Sequence, residues 1–326
     1  MSYRARLLRI LEDGQFHSGE VLGSTLGISR SAVWKILQTL SELGLDVQAV
    51  PRRGYRLSEP LELLDKENIV DSLSSTGRDL LSELEIHENI DSTNRLMMQR
   101  ATEGANSGHV CLAEQQQDGK GRRGRRWTSP YGCNIYLSFL WRFPSGAPDS
   151  LSILSLVAGI TTACVAEKFG LTGVGMKWPN DVLVDGRKLG GILLEFAGET
   201  SGPCYIVSGI GVNYRMPSEA ASEIDQPWTD IHTHTKQVSR NHFVAVLVDA
   251  LLSAYDKFHQ QGFEPFMSDW ERLDVCRGQT VVLQIHDEHI IGRAEGIDAQ
   301  GALLLKTENG VKRFSYGEVS LRVMRH

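Results

Sequence analysis

The chain is short of cysteine and proline, with five and ten in 326 residues. Cys111, Cys133, Cys164, Cys204 and Cys276 lie far apart and include no C-x-x-C pair. That scatter excludes a disulfide framework and a cysteine zinc site, and it fits buried thiols in a reducing, cytoplasmic compartment. Long apolar runs are also missing. The most apolar stretch, residues 151–166, is broken by Ser152, Ser155, Thr161 and Thr162 and is short for a membrane span, so it reads as a buried helix. Arg4, Arg6 and Arg9 precede no continuous apolar segment, which argues against a signal peptide. There is no internal repeat and no low-complexity tract.

What is present is a globular composition, 41% hydrophobic and 23% charged, in a length that predicts two or three domains. The net charge of −6 is uneven: residues 1–60 hold eight Lys/Arg against six Asp/Glu, a balance of +2, which leaves −8 for the rest. A basic module on an acidic body points to nucleic acid. Helices are predicted over residues 3–12, with Leu7, Leu8 and Leu11 inward; from Ser18, with Val21, Leu22 and Leu26 inward; and over residues 30–43, capped by Ser29, with Val33, Ile36, Leu37 and Leu40 inward. Gly27-Ile28-Ser29 makes the last two a helix-turn-helix, and residues 47–57 read as a wing hairpin tipped by Arg52 and Arg53. Arg30, Ser31, Trp34, Lys35 and Gln38 project away from the apolar stripe of the third helix. Arg, Ser and Gln can read base edges, while Lys35, Arg52 and Arg53 can neutralise phosphates. A winged helix used for protein contact is the alternative; basic helix and basic wing on one face favour DNA.

The expected fold class is α+β: an N-terminal winged helix-turn-helix (residues 1–60), a linker (61–83), a central mixed α/β domain (84–275) and a small C-terminal SH3-like β-barrel (276–326). In the central part strands are expected over 84–89, 109–114, 134–141, 175–178, 191–196 and 205–212, and helices over 92–101, 150–169, 240–261 and 263–272. Residues 214–238 read as irregular and mobile. Alternating strands over 280–285, 289–297, 302–307 and 312–316, punctuated by turns such as Asn309-Gly310, give the barrel.

The most unusual segment is Gly119-Lys120-Gly121-Arg122-Arg123-Gly124-Arg125-Arg126-Trp127, with five cations, three glycines and no acid. It spells G-x-G-x-x-G, but the residues that follow cannot open a helix and no acid stands at the ribose position, so a dinucleotide fold is rejected. Glycines beside cations instead suit a loop that folds over a phosphate or carboxylate. A second segment, Lys177-Trp178-Pro179-Asn180-Asp181, is followed by a hairpin through Asp185-Gly186 to Arg187-Lys188-Leu189-Gly190-Gly191. Asp181 could hold a metal on a polyphosphate, and Lys177 or Lys188 could balance developing charge; a surface hairpin is an equal reading of this segment alone. Asp91-Ser92-Thr93-Asn94 reads either as a helix cap or as a set of hydrogen-bonding groups for a small polar ligand. In Gly209-Ile210-Gly211-Val212-Asn213 the glycines let a ligand approach a strand. His232 and His234 resemble half a metal site, without a third ligand nearby.

These motifs, in this order and with this winged helix and barrel, resemble the bifunctional biotin–protein ligases that double as biotin operon repressors, over essentially the whole chain. The resemblance implies a central domain similar to class II aminoacyl-tRNA synthetases. It implies biotin and ATP as ligands with Mg2+, biotinyl-5′-AMP and pyrophosphate as first products, and transfer of biotin to a lysine of the biotin carboxyl carrier protein. Ser92, Thr93, Asn94 and Gln116 are implied to meet the biotin ring, and Lys120, Gly121 and Arg122 to close over the adenylate. Lys188 is implied at the biotin acyl group and α-phosphate. Lys177, Asn180 and Asp181 would serve ATP and its metal; Gly191, Gly209, Gly211 and Asn213 would line the site, and Trp228 would stack on adenine. The catalytic set is thus Lys188, Asp181, Lys177 and Arg122, with Asp181 the metal ligand. Regulation is implied too: biotinyl-AMP promotes a homodimer that binds operator DNA. One departure is Lys120, where the family usually has Arg; lysine lacks the planar fork. A lipoate-type protein ligase and a biotin-sensing transcription factor without ligase activity are the rival readings.

Overall fold

The computed structural model describes residues 2–143, 151–198, 204–222, 224–285, 288–315 and 319–323. Helices α1 (Tyr3–Leu11), α2 (Gly19–Leu26) and α3 (Arg30–Leu40) each start at a serine, Ser2, Ser18 and Ser29, whose hydroxyl accepts the N–H three residues on. Gly27, at φ 71°, ends α2 in the left-handed region and turns the chain into α3. Leu7, Leu8, Leu11, Leu22, Leu26, Val33, Leu37 and Leu40 form the core of this module. Val21, expected inward, is 52% exposed. The buried face of α2 is Gly19, Leu22, Gly23 and Leu26, and residue 21 lies one helical step off it. Strands β1 (Val47–Val50) and β2 (Gly54–Leu57) make the wing, and His17 bridges to Tyr55.

The central region contains α4 (Lys66–Asp71), α5 (Ser75–Leu80), β3 (Glu83–His87), α6 (Thr93–Thr102), β4 (His109–Ala113), β5 (Ile135–Phe143), α7 (Leu151–Lys168), β6 (Val174–Lys177), β7 (Asp181–Val184), β8 (Arg187–Gly198), β9 (Cys204–Val212), α8 (Ser218–Ala221), α9 (Ile231–His234), α10 (Arg240–Gln261) and α11 (Met267–Leu273). Seven strands form one sheet in the order β3-β4-β5-β9-β8-β7-β6, antiparallel except for the β3–β4 pair that α6 connects. Phe139, Trp141 and Ile206 join the large core with α7 and α10, while Leu140 and Val207 pack with Met97 and Ala101 of α6. The alternation along β5 and β9 thus buries both faces, each under its own helices. Among the described residues no helix is long and apolar enough to cross a membrane.

Residues 61–83, read as a linker, are folded: α4 and α5 pack on α10, and Leu64, Ile69 and Leu73 lie in the main core. The segment also ties the N-terminal module down. Leu61, Leu63 and Tyr131 join the core of α1–α3, Arg9 donates to the carbonyls of Leu63 (3.3 Å) and Leu64 (2.7 Å), and Arg4 meets Glu88 at 2.7 Å. Arg240 is fully buried and donates to Glu114 (2.6 Å) and to the carbonyls of Glu62 (3.0 Å) and Asn134 (2.7 Å). The Glu62 carboxylate in turn accepts from Ser239, Arg240 and Asn241. The sequence pattern gave no sign of this network because Arg240 lies 106 to 178 residues from Asn134, Glu114 and Glu62.

Residues 214–238 are less irregular than expected. They carry α8 and α9, and Asp230 is buried, accepting from Met216 N (2.9 Å) and Thr233 N (2.8 Å). The C-terminal domain is an antiparallel sheet of β10 (Thr280–Ile285), β11 (Glu288–Ile297), β12 (Leu303–Thr307), β13 (Gly310–Phe314) and β14 (Val319–Val323), in the order β13-β12-β11-β10-β14. Tyr316, the expected end of its fourth strand, lies outside the described residues. The turn at Gly301, φ 75°, abuts Ile153 and Leu156 of α7, and its carbonyl accepts from the Trp178 indole at 3.0 Å.

Candidate active site

On the α6 side of the sheet the side chains become small where the helix stops. Ser138 of β5 stands opposite Gly209 of β9, which stands opposite Leu193 of β8; Tyr136, Gly211 and Gly191 form the next row. The result is a cleft of about 980 Å³, open mouth included. A Cβ on Gly209 would overlap the Asn94 amide, and one on Gly211 would overlap the Trp127 indole. Both glycines therefore allow a close approach, as read in the sequence, but to side chains of this chain.

At one end of the cleft lies the first turn of α6. Ser92 occupies the cap position, yet its side chain makes no capping hydrogen bond; the Thr93 N–H goes instead to Gln116 Oε1 at 2.9 Å. The simple helix-cap reading of Asp91-Ser92-Thr93-Asn94 therefore fails at Ser92. Asn94 donates to Glu195 Oε2 (2.8 Å) and accepts from Ser138 Oγ (2.5 Å), and Ser138 also lies 2.7 Å from Thr93 Oγ1. Ser92, Thr93, Asn94 and Ser138 are all buried. This is a dense, fixed set of donors and acceptors, suited to a small ring with polar edges. Ser138 and Glu195 were not singled out in the sequence; the alternation of β5 and β8 carried the only signal.

The Gly-Arg loop forms the wall. Gly121 N donates to Arg125 O at 2.7 Å, a 3₁₀ turn spans Arg122–Gly124, and Lys120 bridges to Arg126. Arg122 Nη1 reaches Asn180 Oδ1 at 3.0 Å, joining the loop to the second motif. Trp127 covers the glycine floor, its indole N–H buried and without a hydrogen-bond partner among the described residues. Lys120, Arg123, Arg125 and Arg126 also line the cleft, giving it an anion-attracting rim.

Asp181 is the floor's acid. It is 8% exposed, with Lys188 Nζ 2.6 Å from Oδ1 and Lys177 Nζ 2.8 Å from Oδ2. Burial pushes its carboxyl up, but Lys188 and Lys177 outweigh burial and hold it at about 2. The lysines arrive from β6 and β8, on either side of β7 in the sheet. With each oxygen held by an ammonium group, Asp181 does not fit the expected role of metal ligand. It spaces two cations instead. Among the described residues, metal-ligating spacing occurs at Glu83, Glu85 and His109, on the β3–β4 edge and outside the cleft lining. Neither His232 nor His234 belongs to that group.

Of the remaining predicted residues, Asn180 and Gly191 line the cleft, whereas Asn213 and Trp228 are not part of the lining. Asn213 Nδ2 donates to the carbonyls of Lys188 (3.3 Å) and Thr229 (3.0 Å), and Trp228 pairs with Lys188 as a parallel bridge. They fasten residues 227–229 beside Lys188. All five cysteines are free thiols; burial pushes Cys133 and Cys164 up to about 11 and Cys276 up to about 12, which argues against nucleophilic use. In the N-terminal module Arg30, Ser31, Trp34, Lys35, Gln38, Arg52 and Arg53 are all exposed.

Comparison with known proteins agrees with this division. Residues 86–213 match the biotin/lipoate A/B protein ligase family, residues 4–56 an HTH domain, and residues 278–322 the biotin protein ligase C-terminal domain. The bifunctional ligase/repressor BirA of Escherichia coli (strain K12) is 43% identical over 317 residues, covering 97% of this chain and 96% of that protein. The protein of the same name from Bacillus subtilis (strain 168) is 29% identical over 313 residues, covering 94% of each. The structure of biotin protein ligase from Aquifex aeolicus in complex with biotin and ATP aligns with a TM-score of 0.63 at 26% identity, covering 75% of this chain and all of that one. A three-part chain with this cleft, matched over nearly its full length by such relatives, belongs to the biotin/lipoate A/B protein ligase family, in its bifunctional ligase/repressor form.

Proposed function

We propose that the chain is an ATP-dependent biotin–protein ligase and a biotinyl-AMP-dependent repressor of biotin synthesis genes, with residues 1–60 the DNA-binding module, 84–275 the catalytic domain and 276–326 its C-terminal support. The observation that carries the reading is the Lys177–Asp181–Lys188 triplet beneath an Arg-rich loop, with the Ser92–Asn94 pocket at the other end of one cleft. Biotin's ureido ring fits the fixed donors and acceptors of Ser92, Thr93, Asn94 and Gln116. Its carboxylate then points toward Lys188.

The carboxylate oxygen attacks the ATP α-phosphorus, the bond to the β-phosphate oxygen breaks, and pyrophosphate leaves with its electron pair. Lys188, Lys177 and Arg122 balance the charge gathered at the crowded phosphorus, and Lys120 with Gly121 closes over the adenylate. Magnesium enters as part of the MgATP substrate. A lysine amine of the biotin carboxyl carrier protein next attacks the mixed anhydride, AMP departs and one proton is released. No covalent enzyme intermediate is needed, in keeping with five buried or half-buried thiols.

On the regulatory side, biotinyl-AMP promotes a homodimer that sets two winged helices on a two-fold operator. Glu195 and Ser138, which fix the polarity of Asn94, favour biotin over the apolar dithiolane of lipoate as substrate. The experiment is transfer of labelled biotin to an apo carrier domain with and without MgATP. ATP-dependent labelling, lost in Lys188→Ala, supports the reading. Biotin binding without pyrophosphate release points to a sensor, and preferential binding of lipoate to the other ligase class.

A further inference from the structure

The wing holds two arginines that form no ion pair among the described residues. Arg53 and Arg56 both lie over the ring of Phe16, with their guanidinium carbons 4.3 Å and 4.6 Å from its centroid. Residues 47–57 contain three arginines and no acid, and among the described residues neither Arg53 nor Arg56 forms an ion pair. Two like charges over one ring repel each other while the ring attracts both, and the backbone pairing of this segment helps to hold them together. His17 N donates to Tyr55 O (2.9 Å) and Tyr55 N to His17 O (2.8 Å), which stitches the segment carrying Phe16 to β2. Gly54, at φ 106°, passes so close to His17 that a side chain would overlap its carbonyl. Arg56 is further fixed by its Nε–H, which donates to Gln48 Oε1 at 2.9 Å across the hairpin.

We infer that Phe16, Arg53 and Arg56 form a clamp for one phosphodiester of duplex DNA. The inference rests on the DNA-binding reading of residues 1–60 and adds to it an aromatic platform and a second arginine. The ring attracts each guanidinium by its face, so the N–H edge of Arg53 and the Nη groups of Arg56, whose Nε–H is held by Gln48, can meet an anion. A bridging phosphate would relieve the repulsion between the two cations. Phe16 touches no DNA in this arrangement; it is a positioning residue that keeps two long, flexible side chains in one place and lowers the entropy lost on binding.

The test uses the full chain with biotin and MgATP, a labelled mixed-sequence duplex as probe, and anisotropy titrations over a salt series. Loss of one phosphate contact lowers the steepness of log K against log salt by about 0.9. Arg53→Gln/Arg56→Gln is expected to show that drop. Phe16→Leu keeps an apolar side chain and removes no charge, yet is expected to weaken binding roughly fivefold, with Phe16→Tyr restoring it. An unchanged melting temperature separates this from unfolding of the module. If Phe16→Leu binds as the wild type does, or the double arginine variant keeps the full salt slope, the clamp is wrong while the module still binds DNA. If the wild type shows no salt-dependent duplex binding, the clamp and the DNA reading fall together.

Discussion

The Lys188 ammonium lies 2.6 Å from the buried Asp181 carboxylate and 5.5 Å from the centre of the Trp127 ring. A flexible cation is thereby fixed between a strand neighbour and the Gly-Arg loop before any substrate arrives, which is how a preorganised electrostatic site works.

Asp181→Asn should therefore damage adenylate formation more than biotin binding. It leaves Lys177 and Lys188 without their shared anion, and the rate of pyrophosphate release should fall about 100-fold. Stopped-flow pyrophosphate detection, set beside equilibrium biotin binding, checks the split.

The same carboxylate gives a pH prediction. Its folded value, about 2, lies below the ordinary 3.8, so its contribution to stability is complete above about pH 4 and is lost as pH falls toward 2. In Lys177→Met/Lys188→Met burial acts alone and moves the titration upward. The sign then reverses: with its carboxyl above the unfolded 3.8, this group favours the folded state at low pH and costs stability as pH rises. The variant should therefore lack the wild type's loss below about pH 4, read from urea midpoints across an acid series.

Arg240→Met should cost about 3–5 kcal/mol, since it strands the buried Glu114 carboxylate and frees the carbonyls of Glu62 and Asn134. Because Glu62 and Leu63 anchor the N-terminal module, limited proteolysis near residues 58–66 should also accelerate. Urea unfolding and cleavage mapping test the two effects.

Trp178→Phe removes the indole N–H that binds Gly301 and keeps most of the ring. It should destabilise by about 1 kcal/mol and raise the KM for MgATP without changing biotin affinity. Equal change in both substrates would mean that the barrel contact does not act through the Lys177 strand.

Lys120→Arg supplies the planar fork usual in the family, so release of biotinyl-AMP should slow. Lys120 is exposed on the loop and bridges to Arg126, so the change can be made without repacking. An unchanged release rate in a filter or fluorescence assay would refute the idea.

Local chemistry made much of this protein legible in advance. The serine caps, the Gly27 turn, the wing and the β-hairpins of the C-terminal domain depend on residues a few positions apart, and the Gly-Arg loop and Lys177–Asp181 segment stood out by composition. The glycines of β9, read as letting a ligand approach the strand, are approached in the folded chain by Asn94 and Trp127. What only the folded chain decided are relations between distant strands: that both Asp181 oxygens are taken by lysines, that Glu195 and Ser138 fix Asn94, and that residues 61–83 are keyed into the body by Arg240. Sequence patterns report which face a residue presents. They carry no information on which side chain from another element meets it there, because that is set by sheet register and helix packing over separations of tens to hundreds of residues.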